Sequence, residues 1–322
     1  MPSRPDSPIA SPPQSRNRIR PEEICVIANP KSGRNSRDRA AIDRAMAVLG
    51  PGARLRRWSA EGGLEDEVKQ AVAEGHKIIV AAGGDGTVTG VAQALIGSGV
   101  PMGVLPLGTF NYFARGLGLP QEPEAAARAI LNGTPHRISV GVVNGQVFLN
   151  NASLGLYPTA LRERESAYKR WGRSRLMAHV ALLRTLYRFQ RPHRLTIETD
   201  DGARLTLRTP LVFAARSAYQ VDYFGLDGRE AISADQFAVY IARDGSRWHL
   251  FRMALRLATG SMKAGRDIDL ITPRQMRIAT RASKPYVAYD GEKRRMPAPL
   301  DFRIMDDALA IIRPDPADRI AA

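Results

Sequence analysis

The sequence predicts an α/β chain in two parts: a parallel sheet wound with helices on both faces, then a mainly antiparallel β domain. Three observations predict this. Short apolar runs alternate with helical repeats through the first part of the chain. Each run ends in a turn rich in glycine or small polar residues. After Leu131-Asn132-Gly133-Thr134-Pro135 the pattern changes to short strands joined by Asn-Gly and Asp-Gly turns.

The first strand is Ile24-Cys25-Val26-Ile27-Ala28, which enters the turn Asn29-Pro30-Lys31-Ser32-Gly33. A helix follows over 38–49, with Ile42, Ala45, Met46 and Leu49 on one face and Ser36 or Asp38 as its cap. A second strand over 53–59 closes at Ser59. A second helix over 64–74 stops at Gly75, the expected position for a left-handed residue. The third strand, Ile78-Ile79-Val80-Ala81-Ala82, enters Gly83-Gly84-Asp85-Gly86-Thr87, and a helix follows to residue 96. The fourth strand, Met102-Gly103-Val104-Leu105-Pro106, ends in Leu107-Gly108-Thr109-Phe110-Asn111.

In parallel sheets of this kind, ligands sit beyond the carboxyl ends of the strands. Helix N-termini there offer unpaired N–H groups and partial positive charge, and glycines let an anion approach the backbone. Three such turns on one edge predict a phosphate site. Asp85 stands out, because a carboxylate beside a phosphate repels it unless a metal bridges them or a proton moves. Gly84-x-Gly86-x-x-x-Gly90 loosely matches a dinucleotide fingerprint. That fold wants an acidic residue about 20 positions on, and none occurs between Asp85 and Glu122.

The second part opens with a hairpin, 136–143 and 146–151, around Asn144-Gly145. Further strands are read over 195–199, 204–208, 211–215, 237–242, 275–280, 286–289, 300–304 and 309–313. A basic helical stretch over 166–190 carries Lys169, Arg170, Arg173, Arg175, Arg184 and Arg188 between its apolar residues. It reads as an amphipathic helix whose basic face meets solvent or anionic lipid.

The chain has 322 residues, with 47 Lys and Arg against 32 Asp and Glu, a net charge of +15. That balance implies an anionic partner: nucleotide, nucleic acid or an acidic membrane surface. No base-reading module is visible, so a specific nucleic-acid partner is not expected. The lone cysteine, Cys25, excludes an intrachain disulfide. No apolar stretch is long enough to span a membrane. Residues 1–21 are rich in Pro, Ser and Arg and read as a disordered basic arm.

With these turns in hand, the chain resembles the diacylglycerol kinase-type lipid kinase superfamily, which includes sphingosine kinases and bacterial lipid kinases and shares a signature with NAD kinases. Asn29-Pro30-Lys31-Ser32-Gly33 resembles its Asn-Pro-x-Ser-Gly motif. Gly83 to Thr87 matches Gly-Gly-Asp-Gly-Thr in full. Pro106 to Asn111 resembles the third motif, and Asp290-Gly291-Glu292 a late Asp-Gly-Glu. Where the family usually continues Asn-Asp-Phe-Ala-Arg, this chain reads Asn111-Tyr112-Phe113-Ala114-Arg115.

The resemblance implies a doubly wound nucleotide-binding domain over 22–135, rejoined by 308–314, and a β-sandwich-like lipid domain over 136–307. It implies ATP and Mg2+ as cofactors and transfer of a phosphoryl group to the hydroxyl of a lipid alcohol. The implied nucleotide-binding residues are Asn29, Pro30, Lys31, Ser32, Gly33, Ser59, Gly83, Gly84, Asp85, Gly86, Thr87, Gly108, Thr109 and Asn111. Asp85 would hold the magnesium, directly or through water. Asp290 would be the general base, supported by Glu292. The expected setting is cytoplasmic and peripheral to an anionic membrane surface; a homodimer is compatible with it. The alternative is a regulator that keeps the fold, binds nucleotide or lipid, and has lost turnover.

Overall fold

The computed structural model describes residues 19–29, 40–58, 63–155, 192–243 and 268–314, with His249, Arg252, Met253, Leu255, Arg256 and Gly265 between them. The basic arm up to residue 18, Pro30, Lys31, Ser32, Gly33, Ser59 and the basic stretch 166–190 lie outside the described residues.

The first part builds β1 (Ile24–Ala28), α1 (Ala40–Leu49), β2 (Arg54–Arg57), α2 (Leu64–Ala73), β3 (Ile78–Gly83), α3 (Asp85–Leu95), β4 (Met102–Pro106), α4 (Tyr112–Gly116) and α5 (Pro123–Asn132). The strands lie parallel in the order β2-β1-β3-β4. β1, β3 and β4 are buried at every position, because helices cover both faces of the sheet. One face packs Ile42, Ala45 and Leu49 of α1 with Ala126, Ala127 and Ile130 of α5. The other packs Val68 and Ala71 of α2 with Val88, Val91 and Leu95 of α3. Ala28 pairs with Ala82, and Gly83 with Pro106, so the three strands end level.

The second part builds β5 (Thr134–Val143), β6 (Gln146–Phe148), β7 (Asn151–Gly155), β8 (His193–Thr199), β9 (Arg204–Thr209), β10 (Leu211–Ala215), α6 (Ala218–Tyr223), α7 (Arg229–Ser233), β11 (Ala238–Ala242), β12 (Ile268–Ile271), β13 (Gln275–Thr280), β14 (Tyr286–Tyr289), β15 (Glu292–Arg295) and β16 (Leu300–Arg313). A six-stranded antiparallel sheet runs β12-β11-β10-β7-β14-β15. It packs on β5, β8, β13 and β16 around Phe148, Phe237 and Phe302, whose ring centroids lie 5.7 and 6.3 Å from that of Phe148. Gly141 makes room for this stack: a Cβ there would meet the Phe148 ring at 2.5 Å.

β16 belongs to both parts. Its first half pairs antiparallel with β13. After an irregularity between Met305 and Leu309, its second half pairs with Thr134–Ile138, and Ile311 meets Met102 of β4 in parallel. One ten-stranded sheet therefore runs through both parts.

The expected strand over 146–151 differs in one instructive way. β6 stops at Phe148, and the chain crosses at Leu149 and Asn150 into the other sheet. The backbone N–H groups of residues 149, 150 and 151 turn to a carboxylate instead of a neighbouring strand. The short elements α4, α6, α7, β12 and β15 were not expected from the sequence. Among the described residues no helix is long and apolar enough to cross a membrane.

Candidate active site

The ends of β1, β3 and β4 bring three turns together. Asn29 donates its backbone N–H to Ala82 at 3.1 Å and its side-chain amide to the Thr87 hydroxyl at 3.3 Å. Leu107 donates to the Gly83 carbonyl at 2.9 Å. Gly84 caps α3 in extended conformation, and the first residues of that helix are half-buried Asp85 and exposed Gly86. Thr87 is buried; Gly86 and Thr109 are exposed.

The second and third turns touch through bare backbone. A Cβ on Gly108 would lie 2.5 Å from the Gly84 Cα and 2.6 Å from the Asn111 Oδ1. Neither neighbour can give way without moving a turn. Gly108→Ala is therefore expected to lower stability by about 1–3 kcal/mol, the cost of overpacking. A calorimetric melt unchanged from wild type would show that the contact is dispensable.

Asn111 has φ +53°, in the left-handed region, which Asn tolerates better than most residues. Its side chain ties the turn together. It accepts from Gly108 N–H at 2.9 Å and donates to the carbonyls of Pro106 and Gly108 and to Gln121. α4 starts at the next residue, and its orphan N–H groups need an acceptor. Asp85 supplies it: Phe113 donates to its Oδ1 at 3.2 Å, and the N–H groups of Asn111 and Tyr112 and the Asn150 side chain also reach its carboxylate. Burial nevertheless pushes the Asp85 carboxyl above the usual carboxylate range.

Asp290 and Gly291 form the two-residue turn between β14 and β15, with φ +43° and +89°. This hairpin aims the Asp290 carboxylate inward, where the residue is only 8% exposed. Oδ2 accepts from the Thr89 hydroxyl at 2.7 Å and Leu149 N–H at 2.6 Å. Oδ1 accepts from Asn150 N–H at 2.9 Å and Asn151 N–H at 3.0 Å. Burial raises the Asp290 carboxyl while these donors pull it back. Glu292 opens β15 and is exposed; its Oε1 lies 3.6 Å from the point a Cβ on Gly86 would occupy.

Thr89 and Gln93 were not singled out in the sequence. Asp85, Thr89 and Gln93 stand four residues apart, which puts them on one face of α3. Each reaches the second part of the chain: Asp85 to Asn150, Thr89 to Asp290, and Gln93 to Val147 N–H at 2.6 Å and the Gln146 amide at 2.9 Å. Three polar side chains spaced four residues apart along a largely apolar helix were the available signal.

Beside this seam sit three buried polar atoms with no partner among the described residues: Asn150 Oδ1, Asn151 Oδ1 and Ser153 Oγ. Asn151 and Ser153 share one face of β7, while Ala152 and Leu154 face the core between the sheets. Asn151 also donates to Gln220 at 2.9 Å.

Magnesium keeps several waters and binds through one or two carboxylates plus phosphate oxygens. Among the described residues no group of three or more metal-ligating side chains occurs. Half-buried Asp85 and exposed Glu292 are the carboxylates beside the exposed turn. This sparse set fits an ion held mainly by phosphate and water, and does not form a protein cage.

Residues 23–143 match the family model of the diacylglycerol kinase catalytic domain, a span that holds all three turns but not Asp290 or Glu292. A probable lipid kinase, YegS-like, from Pseudomonas aeruginosa is 40% identical over 136 residues, which is 42% of this chain and 44% of that protein. A diacylglycerol kinase from Bacillus subtilis is 36% identical over 135 residues, 40% of this chain and 45% of that one. The chain thus spans less than half the length of these curated relatives. A crystal structure of a diacylglycerol kinase from Bacillus anthracis str. Sterne superposes with a TM-score of 0.70 at 19% identity, over 92% of this chain and 98% of that one. An NAD kinase from Archaeoglobus fulgidus in complex with ATP superposes at 0.51 with 12% identity, over 91% and 94%. At such identities the solved structures show a shared fold. The sequence matches over the first part of the chain agree with the superfamily resemblance of its motifs.

Proposed function

We propose that this chain, whose residues 23–143 match the diacylglycerol kinase catalytic domain, is an ATP-dependent lipid kinase. It transfers the γ-phosphoryl group of ATP to the hydroxyl of a lipid alcohol, diacylglycerol-like or sphingoid-like. One observation carries the reading: a buried carboxylate from the second domain, Asp290, is hydrogen-bonded to the helix that begins at the glycine turn. A base and a phosphate cradle are useful together only in this relation.

In the proposed step the backbone of the Gly83–Thr87 and Gly108–Asn111 turns holds the phosphates. The acceptor alcohol approaches from the side of Asn151 and Ser153, whose oxygens, unpartnered among the described residues, suit hydroxyl donors. The alcohol proton passes to Asp290. The alcohol oxygen bonds to the γ-phosphorus, the bridging P–O bond breaks, and ADP leaves with that electron pair. Thr89 already donates an alcohol O–H to Asp290, which supports the fit of a hydroxyl there. Asp85 and Glu292 would hold the magnesium of the nucleotide through water. When bound, the ion supplies neutralising charge to the phosphates. The enzyme would work on the cytoplasmic side, peripherally on anionic membrane, to which its net charge of +15 is suited.

One observation favours the second reading, a nucleotide- or lipid-binding regulator without turnover. Asp290 already accepts four hydrogen bonds, which is a structural role sufficient to explain its burial. The test is an assay with γ-labelled ATP, magnesium and a total lipid extract, with the product identified by mass. A labelled phospholipid is expected. ATP binding with no transfer to any lipid would favour the regulator.

A further inference from the structure

We propose that an exposed aromatic patch at the mouth of the candidate site seats the protein on a lipid bilayer, with its rings at the boundary between headgroups and acyl chains. The inference rests on the lipid-kinase reading for its choice of partner, but the surface stands on its own geometry. Phe110 is 52% exposed and Tyr223 is 63% exposed, and both belong to one ring cluster. Phe110 stacks on Tyr112 with centroids 5.4 Å apart and planes 3° from parallel. Tyr112 meets the edge of Tyr223 at 6.0 Å and lies 6.4 Å from Tyr219. Tyr223 in turn meets Phe224 at 5.2 Å.

The cluster straddles the two domains. Phe110 and Tyr112 come from the third turn and α4; Tyr219 and Tyr223 come from α6, and Phe224 caps it. Single exposed apolar residues are ordinary, whereas a contiguous apolar patch marks a surface that meets something. Its composition narrows the partner. Tyrosine joins an apolar ring to a hydroxyl, the combination that suits the membrane–water interface. Charge agrees: Arg115 donates its Nε to the Phe110 carbonyl at 3.0 Å, which holds a guanidinium beside Phe110, within reach of a lipid phosphate at the same surface. Position agrees too. Phe110 directly follows Gly108 and Thr109, and Phe113, one residue past Tyr112, donates to Asp85. A bilayer touching these rings lies at the edge where the acceptor must enter.

The test uses the full chain with phosphatidylcholine vesicles at about 1 M salt, where the screening length is about 3 Å and electrostatic attraction is suppressed. The double variant Phe110→Ser, Tyr223→Ser is expected to bind about tenfold more weakly than wild type, which corresponds to about 1.4 kcal/mol. Phe110→Trp provides an independent readout. Its added fluorescence, above the background of Trp58, Trp171 and Trp248, is expected to shift to the blue on vesicles and to be quenched by brominated acyl chains. Equal vesicle binding by the double variant and wild type, or no quenching of the new tryptophan, overturns the proposal. Loss of ATP affinity with vesicle binding unchanged also overturns it, because the rings would then stack on the base. Vesicle binding needs no turnover. A patch variant that releases vesicles, in a protein that phosphorylates no lipid, keeps this inference and removes the kinase reading.

Discussion

Asp290→Asn is expected to lower the turnover number by roughly 10²–10⁴, the usual contribution of general acid–base catalysis, while ATP affinity stays close to that of wild type. The proposed nucleotide cradle is backbone from the first part of the chain, and among the described residues Asp290 reaches that part through Thr89. A structural cost accompanies the substitution. Both carboxylate oxygens accept two donors each, and an amide can offer oxygen on one side only. Its NH₂ group would face two donors, at a cost of about 1–3 kcal/mol. Melting curves measured beside the kinetics separate the two effects. If a folded Asp290→Asn variant turns over like wild type, Asp290 is not the base.

The pH profile gives a second handle. A base works only when ionised, and burial holds Asp290 above the ordinary Asp value of about 3.9. The acid limb of kcat/KM should therefore fall at higher pH than for an exposed aspartate, and should vanish in the variant. The sign for stability is also defined. With its folded value raised, Asp290 binds its proton more tightly in the native state, so its contribution is present below the unfolded value and is lost as pH rises through the folded one.

Asp85→Asn is expected to reduce turnover by at least about 10², the scale seen when a preorganised electrostatic group is removed. The side chain sits at two helix starts at once. It is the first residue of α3, and it accepts from the N–H groups that open α4. Its negative charge offsets the partial positive charge of both helix ends. An asparagine keeps one oxygen for Phe113 but loses that charge, and its own amide would crowd the Asn150 amide. The loss of stability should resemble that of a helix cap, about 0.5–2 kcal/mol. Near-normal turnover would remove Asp85 from the nucleotide chemistry and leave it a cap.

The parallel domain was legible because its signals are local. Apolar runs, helical repeats and terminal glycines each lie within a few residues, and β1, α2 and β4 fall almost where the periodicity puts them. The hairpin at Asn144-Gly145 was legible for the same reason. Asp290-Gly291 could be read as a turn, and it is one. The inward aim of its carboxylate could not be read, because Thr89 lies 201 residues away. The end of β6 at Phe148 also depends on that distant carboxylate. β15 carries only charged residues, Glu292-Lys293-Arg294-Arg295, and has no apolar alternation to betray it. The paired helices α6 and α7 are too short for a helical period to stand out.

The shared strand β16 has a consequence for synthesis of the protein. Arg137 of β5 bonds to Asp307, 170 residues later, and Leu309–Arg313 fill the place between β5 and β4. Until that last strand leaves the ribosome, β4 and β5 present unpaired edges, although every other strand of the parallel sheet has been made. At about 5–20 residues per second, the interval is on the order of ten seconds or more. Open strand edges are templates for wrong pairing. The newborn chain therefore passes through a period in which the first domain is assembled but unsealed. Chaperone dependence and aggregation during expression should be governed by the arrival of β16.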